Sequence, residues 1–338
     1  MHVRNHPLAV SLVAVLSFSL PVAGPAKQKH AGHADRAAVQ NIGPAVLWSN
    51  PTDIESRNLF YGPGGPDRAP NGPFKFVKED PEGTNPKFDV TDRDGVKWKV
   101  KMGIEARPET VATRIVWAVG YRSNEDYFLP VMQVTDMPKL KRGWKLVGPN
   151  GTVTNVRLKR EGGKKAGTWK WKQDPFTGTR EWNGLRTLMA VINNWDLKDV
   201  NNAIYEEKGE RVYMISDLGA SFSCTGRCWP RDRAKGDLEK YQRSAFIRRT
   251  TAKTVSFATP SRPAFEYAVN PKEYWGRVRL EWIGHEIPRS DAKWLGTLLA
   301  RLSPQQIRDA FRAAGYSQED ADGFATVLES RIHALTNL

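Results

Sequence analysis

The alternation between residues 96 and 102 constrains this chain most: Val96, Trp98, Val100 and Met102 fall on one side of an extended segment, and Lys97, Lys99 and Lys101 on the other. A period of two is that of a half-buried β-strand, with one packed and one basic face. Asp94-Gly95 precedes it, with a short apolar stretch at 88–90 before that pair, and the two flanks predict a hairpin. Alternating residues at 74–77 predict a further strand, separated from the hairpin by a loop that runs from Glu79 to Lys87. After Met102-Gly103, the run Glu105-Ala106-Arg107-Pro108-Glu109 opens a helix, with Val111, Ile115 and Ala118 as its apolar stripe and Gly120 as its stop.

The pattern continues with strand signals at 127–134, 144–147 and 153–158, then a Lys-rich stretch at 159–173 that reads as a surface loop. Leu185, Leu188, Met189 and Ile192 share one helical face and deliver the chain into Asn193-Asn194-Trp195-Asp196. Beyond residue 240 the chain reads as helical, with helices expected at 294–302, at 304–314 behind Ser303 as cap, and at 318–335. The expected fold class is therefore α+β in two lobes, with a strand-rich lobe over 74–180 and a helical lobe over 181–338. Residues 27–73, which contain Tyr61-Gly62-Pro63-Gly64-Gly65-Pro66, read as an irregular linker or arm.

The first 26 residues are set apart from that fold. Arg4 and the free amine precede an apolar run at 8–20, followed by Pro21-Val22-Ala23-Gly24-Pro25-Ala26. This is the pattern of a cleaved export signal. The run is shorter than the roughly 18–20 residues a membrane span needs, and no later stretch supplies one, so no transmembrane span is expected.

Loss of the leader takes the net charge from +14 to +13, because Arg4 is its only Lys, Arg, Asp or Glu. Such a surface favours an anionic partner. The basic residues are spread along the chain without a zinc-finger, homeodomain or RNP-like signature, which argues against specific nucleic-acid binding. Cys224 and Cys228 are the only cysteines. Export permits a small disulfide loop between them, two free thiols being the alternative, and two cysteines do not complete a four-ligand zinc site.

The chemistry lies further along. Asp196-Leu197-Lys198-Asp199-Val200-Asn201 places an acid and an amide five residues apart in a loop, and the apolar run at 212–216 ends in Asp217-Leu218-Gly219. Phosphoryl transfer from ATP needs this kind of set: a carboxylate near the acceptor, oxygen ligands for Mg²⁺ or Mn²⁺, a lysine on the phosphates and a flexible loop over them.

D-x-x-x-x-N followed by D-L-G resembles the protein-kinase-like superfamily, in an atypical branch that includes HipA-type and secretory-pathway kinases. Asn194-Trp195-Asp196 is similar to the N-x-D opening of HipA-type enzymes. Gly83-Thr84-Asn85-Pro86-Lys87 is similar to their S-G-x-Q-P-K phosphate loop. The resemblance covers about residues 74–335, although its motifs occupy only short windows.

It implies a two-lobed kinase-like fold with ATP between the lobes. Gly83, Thr84, Asn85, Lys87 and Lys101 would contact the nucleotide. Glu109 would pair with Lys101, with Glu105 as rival; Asp196 would orient an acceptor hydroxyl; Asn201 and Asp217 would hold the metal. The acceptor implied is a protein, peptide or small hydroxyl compound.

The chain also departs from the pattern. It has no G-x-G-x-x-G loop, no His-Arg before Asp196 and no A-P-E; Leu218 stands in place of Phe and Lys198 where HipA-type enzymes often carry His. An inactive binding module and a nucleotidyltransferase on the same fold are the alternatives. His285 lacks the second histidine of a zinc-protease helix, and no G-x-S-x-G elbow is present.

Overall fold

The computed structural model describes residues 43–226, 234–261 and 264–338, without the side chains of 264–266. The leader lies outside the described residues, as does Cys228 and with it the Cys224 to Cys228 pairing. After the short strand β1 (Ala45–Val46), five strands close into a barrel: β2 (Phe74–Asp80), β3 (Lys87–Thr91), β4 (Lys97–Lys101), β5 (Asp126–Thr135) and β6 (Thr152–Arg160), in the order β2-β3-β4-β6-β5. A parallel pairing of Phe74 with Val134 joins the last strand to the first.

Alternation fills the barrel interior. Phe88 lies opposite Val100 and Val90 opposite Trp98, all fully buried. The hairpin turn is organised by Asp92, whose Oδ1 accepts from the backbone N–H of Asp94 at 3.0 Å and of Val96 at 2.9 Å. Its Oδ2 accepts from Trp98 Nε1 at 2.8 Å, tying the turn to the core. The outward face of β4 is not uniformly wet as its lysines suggest. Helix α1 (Ala106–Ala118) packs over its end, and Lys101 is only 3 % exposed.

The chain leaves the barrel after Arg160. The stretch 159–173 is not the surface loop expected: it holds β7 (Lys164–Gly167) and buries Trp169 and Trp171 edge to face with ring centres 4.9 Å apart. Its lysines masked the strand, because a sheet-edge strand keeps charges outward. Helix α2 (Arg180–Val191) follows, and β8 (Asn202–Glu207) with β9 (Glu210–Ile215) completes a sheet of order β1-β9-β8-β7.

The expected strand at 144–147 is a 3₁₀ turn, Trp144–Leu146. Gly143 enters it at φ +69°, and Trp144 and Leu146 stay exposed. The expected arm at 27–73 is irregular where described but integrated, since Leu47, Ile54 and Leu59 are buried in the main core and Ala45 pairs with Arg211 of β9.

The remainder is mostly helical: α3 (Leu238–Gln242), α4 (Ala264–Val269), α5 (Pro271–Val278), α6 (Arg289–Leu299), α7 (Pro304–Arg312) and α8 (Gln318–Thr336). Ser303 caps α7 in a reciprocal capping box with Gln306, which is why that helix begins where the sequence signals it. A small sheet of β10 (Ile247–Thr250), β11 (Thr254–Phe257) and β12 (Ile287–Pro288) lies within the region expected to be predominantly helical. No described helix is long and apolar enough to cross a membrane.

One contact across this region fixes the end of α2. Arg331 of α8 is 3 % exposed and donates to the carbonyls of Ala190 and Val191 at the end of α2, and to Asn193 Oδ1 at 2.9 Å. Carbonyls at a helix C-terminus have no partner within the helix, so the guanidinium satisfies them and fixes the loop that follows.

Candidate active site

That loop carries Asp196. Asn194 is fully buried, and its Oδ1 accepts from the backbone N–H of Asp196 at 3.1 Å, turning the chain out of α2. Asn201 Nδ2 donates to the Asp196 carbonyl at 2.6 Å, closing the D-x-x-x-x-N segment on itself. The Asn201 carbonyl accepts from Ser216 N at 2.8 Å and Asp217 N at 3.3 Å, which stitches this loop to the end of β9. Asp196, Asn201 and Asp217 are thus brought together by one backbone network.

The turn after β9 is set by packing. Leu218 is buried as its anchor, and Asp217 Oδ1 accepts from Gly219 N at 3.2 Å. A Cβ at Gly219 would stand 2.6 Å from Glu105 Oε2, so glycine there permits the approach of Glu105.

Lys101 connects the barrel to this turn. Its Nζ lies 2.8 Å from Glu109 Oε2, 3.1 Å from Glu105 Oε2 and 3.1 Å from Asp217 Oδ1. Glu109 and Glu105 are therefore both partners, with Glu109 the nearer. Lys99 turns to Asp80 and Asp89 instead, at 2.7 and 3.1 Å.

Burial works against the Lys101 charge, but the attraction of Glu109, Asp217 and Glu105 outweighs it, and the ammonium pKa is raised. For Asp217, partial burial pushes the carboxyl up, yet Lys101, the Gly219 N–H and Arg157 bring it down to about 2. Its side chain remains 44 % exposed, so it is charged and open on one side. Glu105 is likewise lowered: burial opposes its charge, while Lys101 and Lys235 favour it.

Sequence reasoning missed the layer beneath. Arg157 of β6 donates to Glu109 Oε2 at 2.8 Å and lies 3.7 Å from Asp126, with all three side chains almost fully buried. Burial pushes the Asp126 carboxyl up against the pull of Arg157. An outward residue on a strand gives no periodicity signal of its own, so nothing local marked Arg157. Arg277 of α5 is a second omission. Its Nη1 lies 2.5 Å from Asp196 Oδ1, its Nε donates to Glu273 at 2.7 Å, and Glu273 in turn reaches Lys198 at 3.1 Å.

The candidate phosphate loop joins β2 to β3. Gly83 is at φ +71°, a region only glycine occupies freely, and the Pro86 carbonyl accepts from Met102 N at 3.1 Å, next to Lys101. The Lys87 ammonium lies 3.9 Å from Asp80, and its backbone is paired across the sheet with Lys101. Arg142, also absent from the sequence reading, donates to the carbonyls of Pro81 at 2.6 Å and Thr84 at 2.5 Å, holding this loop from outside.

Asp217 and Asn201 offer a carboxylate and an amide as side-chain oxygen groups, the hard donor types that suit Mg²⁺ when phosphate and water supply the other positions. Among the described residues no group of three or more His, Cys, Asp or Glu is placed to hold a metal alone.

Fold and site together define an α+β protein with a barrel-borne lysine paired to a helix glutamate and facing an Asp-Leu-Gly turn. No protein-family model matches the chain, and no curated protein matches it. Four chains of solved structures match. One is the Helicobacter pylori proinflammatory kinase CtkA, at 12 % identity and a TM-score of 0.43, over 78 % of this chain and 95 % of that one. Another is the Golgi casein kinase, at 9 % identity and a TM-score of 0.35, over 91 % and 87 %. Neither likeness bears on which residues act.

Proposed function

We propose that this chain is an exported ATP-dependent phosphotransferase. The observation that carries the reading is the buried Lys101 held by Glu109 at 2.8 Å while reaching Asp217 at 3.1 Å. An ammonium kept charged between a fixed carboxylate and an open one is placed to receive phosphate oxygens. Asp217 and Asn201 would hold Mg²⁺ or Mn²⁺, which when bound supplies charge neutralisation at the phosphates. Asp196 would orient the acceptor hydroxyl, and the loop with Gly83, Thr84 and Asn85 would cover the phosphates, with Lys87 at its end. Export is read from the N-terminal leader pattern alone. The acceptor would be a protein, peptide or small hydroxyl compound.

A second reading, a nucleotide-binding module without transfer, is favoured by one contact: Arg277 occupies Asp196 Oδ1 where an acceptor hydroxyl would approach. Incubating the purified protein with ATP labelled at the γ-phosphate or, in a parallel reaction, at the α-phosphate, with Mg²⁺ or Mn²⁺, and identifying the labelled product, separates the readings. Label on an acceptor supports transfer. Label from the α-phosphate instead would establish nucleotidyl transfer, and nucleotide binding without any product would establish the binding module.

The loop clamp gives a milder test. Arg142→Ala should raise the KM for ATP about tenfold, equivalent to about 1.4 kcal/mol of ground-state binding, with kcat changed less. An unchanged KM would remove this loop from the nucleotide site.

A further inference from the structure

The barrel and the β7-β8-β9 sheet are joined covalently by residues 161–163, and beside that join lies a cavity of about 670 Å³. Its volume is within the usual range for small-molecule sites. None of Lys101, Glu109, Asp196, Asn201 or Asp217 lines it. Asn124 and Lys159 form the barrel wall, Gly162 and Gly163 the join, and Lys165, Tyr205 and Lys208 the sheet wall.

The charges around it are unevenly matched. Glu125 pairs with Arg68 and lies 4.0 Å from Arg160, and Glu161 lies 4.0 Å from Lys99. Lys159, Lys165 and Lys208, by contrast, have no carboxylate within 4.0 Å among the described residues, and Glu207 is the one wall carboxylate left to oppose them. Burial, reinforced by Arg157, works against the charge of Lys159 and lowers its pKa. Two further wall oxygens, Ser123 Oγ and Glu125 Oε2, are buried with no hydrogen-bond partner. Buried polar atoms of that kind are costly unless something satisfies them. A ligand that does so brings negative charge for the lysines and hydroxyl groups for the two oxygens.

The wall also touches the candidate active site. Asn124 Nδ2 donates to the carbonyl of Ser216 at 2.9 Å, and Ser216 directly precedes Asp217. Anything that draws the Asn124 amide into the cavity competes with that bond.

We propose that this cavity binds a small hydroxylated phosphate ester, and that occupancy is relayed through Asn124 and Ser216 to Asp217. Lys165 and Lys208 hold the phosphate from the exposed side and Lys159 from within, while ligand hydroxyls donate to Ser123 and Glu125. The binding site stands independently of the phosphotransferase reading; only the effect on nucleotide affinity rests on it.

Glycerol 3-phosphate is the probe, with inorganic phosphate and glycerol as separate controls, measured by titration calorimetry on the full chain. Saturable one-to-one binding is expected, at least tenfold tighter than inorganic phosphate. The Lys165→Ala/Lys208→Ala double variant, in which both residues are exposed, should lose at least tenfold in affinity. Asp217→Ala should retain binding, because Asp217 is outside the cavity. Absence of saturable binding overturns the site, as does binding that survives the double variant but vanishes in Asp217→Ala, which would put the phosphate at the nucleotide centre instead. Asn124→Ala should keep probe binding while abolishing any change the probe causes in ATP affinity; a persisting change overturns the relay.

Discussion

Asp217→Ala is expected to abolish ATP turnover, by on the order of 10²–10³-fold or more, while the protein stays folded. Asp217 makes three contacts that tie the site together: Lys101 at 3.1 Å, the Gly219 N–H at 3.2 Å, and the Asn201 carbonyl bound by its own N–H at 3.3 Å. Removing a carboxylate that is 44 % exposed leaves no large cavity and loses only a partly solvent-screened contact with Lys101, so circular dichroism should be unchanged and the unfolding midpoint only slightly lowered. Turnover that persists at the parent level would remove Asp217 from the chemistry. The pH dependence has a definite sign. Because the folded-state pKa is depressed to about 2 from an ordinary 3.8, the stabilising contribution of Asp217 is fully present above about pH 4 and is lost as pH falls through about 2. Acid weakening of the Lys101–Asp217 contact should therefore follow that window, with none at neutral pH.

The second large effect is on stability. Arg157→Leu leaves Asp126 without its guanidinium and Glu109 with Lys101 alone, both carboxylates nearly or fully buried. Stranding a buried charge typically costs about 3–5 kcal/mol, and that loss should appear as a shifted urea midpoint at unchanged slope. Adding Asp126→Leu should recover part of it, since the unpaired acid is then gone. A single variant as stable as the parent would show that Arg157 is not what keeps Glu109 in place.

Much of this centre was legible in the sequence because its parts announce themselves locally. Lys101 ends a strand marked by strict alternation, Glu109 lies in the first turn of a helix marked by Pro108, and Asp196, Asn201 and Asp217 occur at spacings that a loop and a strand end enforce. The rest depends on partners distant along the chain. Arg157 meets Glu109 across 48 residues, Arg277 meets Asp196 across 81, and Arg331 meets Asn193 across 138. Periodicity reports which face is apolar, not which remote charge will sit on it. Short strands fail for a related reason: β7, β10 and β12 have four residues or fewer, too few for alternation to stand out, and they exist because a neighbouring strand supplies hydrogen bonds. The same holds for the supposed surface lysines at 97–101, where the packing of α1 buried the last of the three.

The closed barrel has a mechanical consequence. An open sheet accommodates stress by sliding or fraying at its outer strands, but here the Phe74–Val134 pairing removes both outer edges. Lys101 and the loop at 81–86 are therefore carried on a ring without free outer strands. The covalent neck at 161–163, where Gly163 sits at φ +77°, links that ring to the β7-β8-β9 sheet. Gly162→Pro would stiffen that neck, and its effect at the proposed phosphate-binding end, read as a changed KM for ATP, would come without a single residue there being altered.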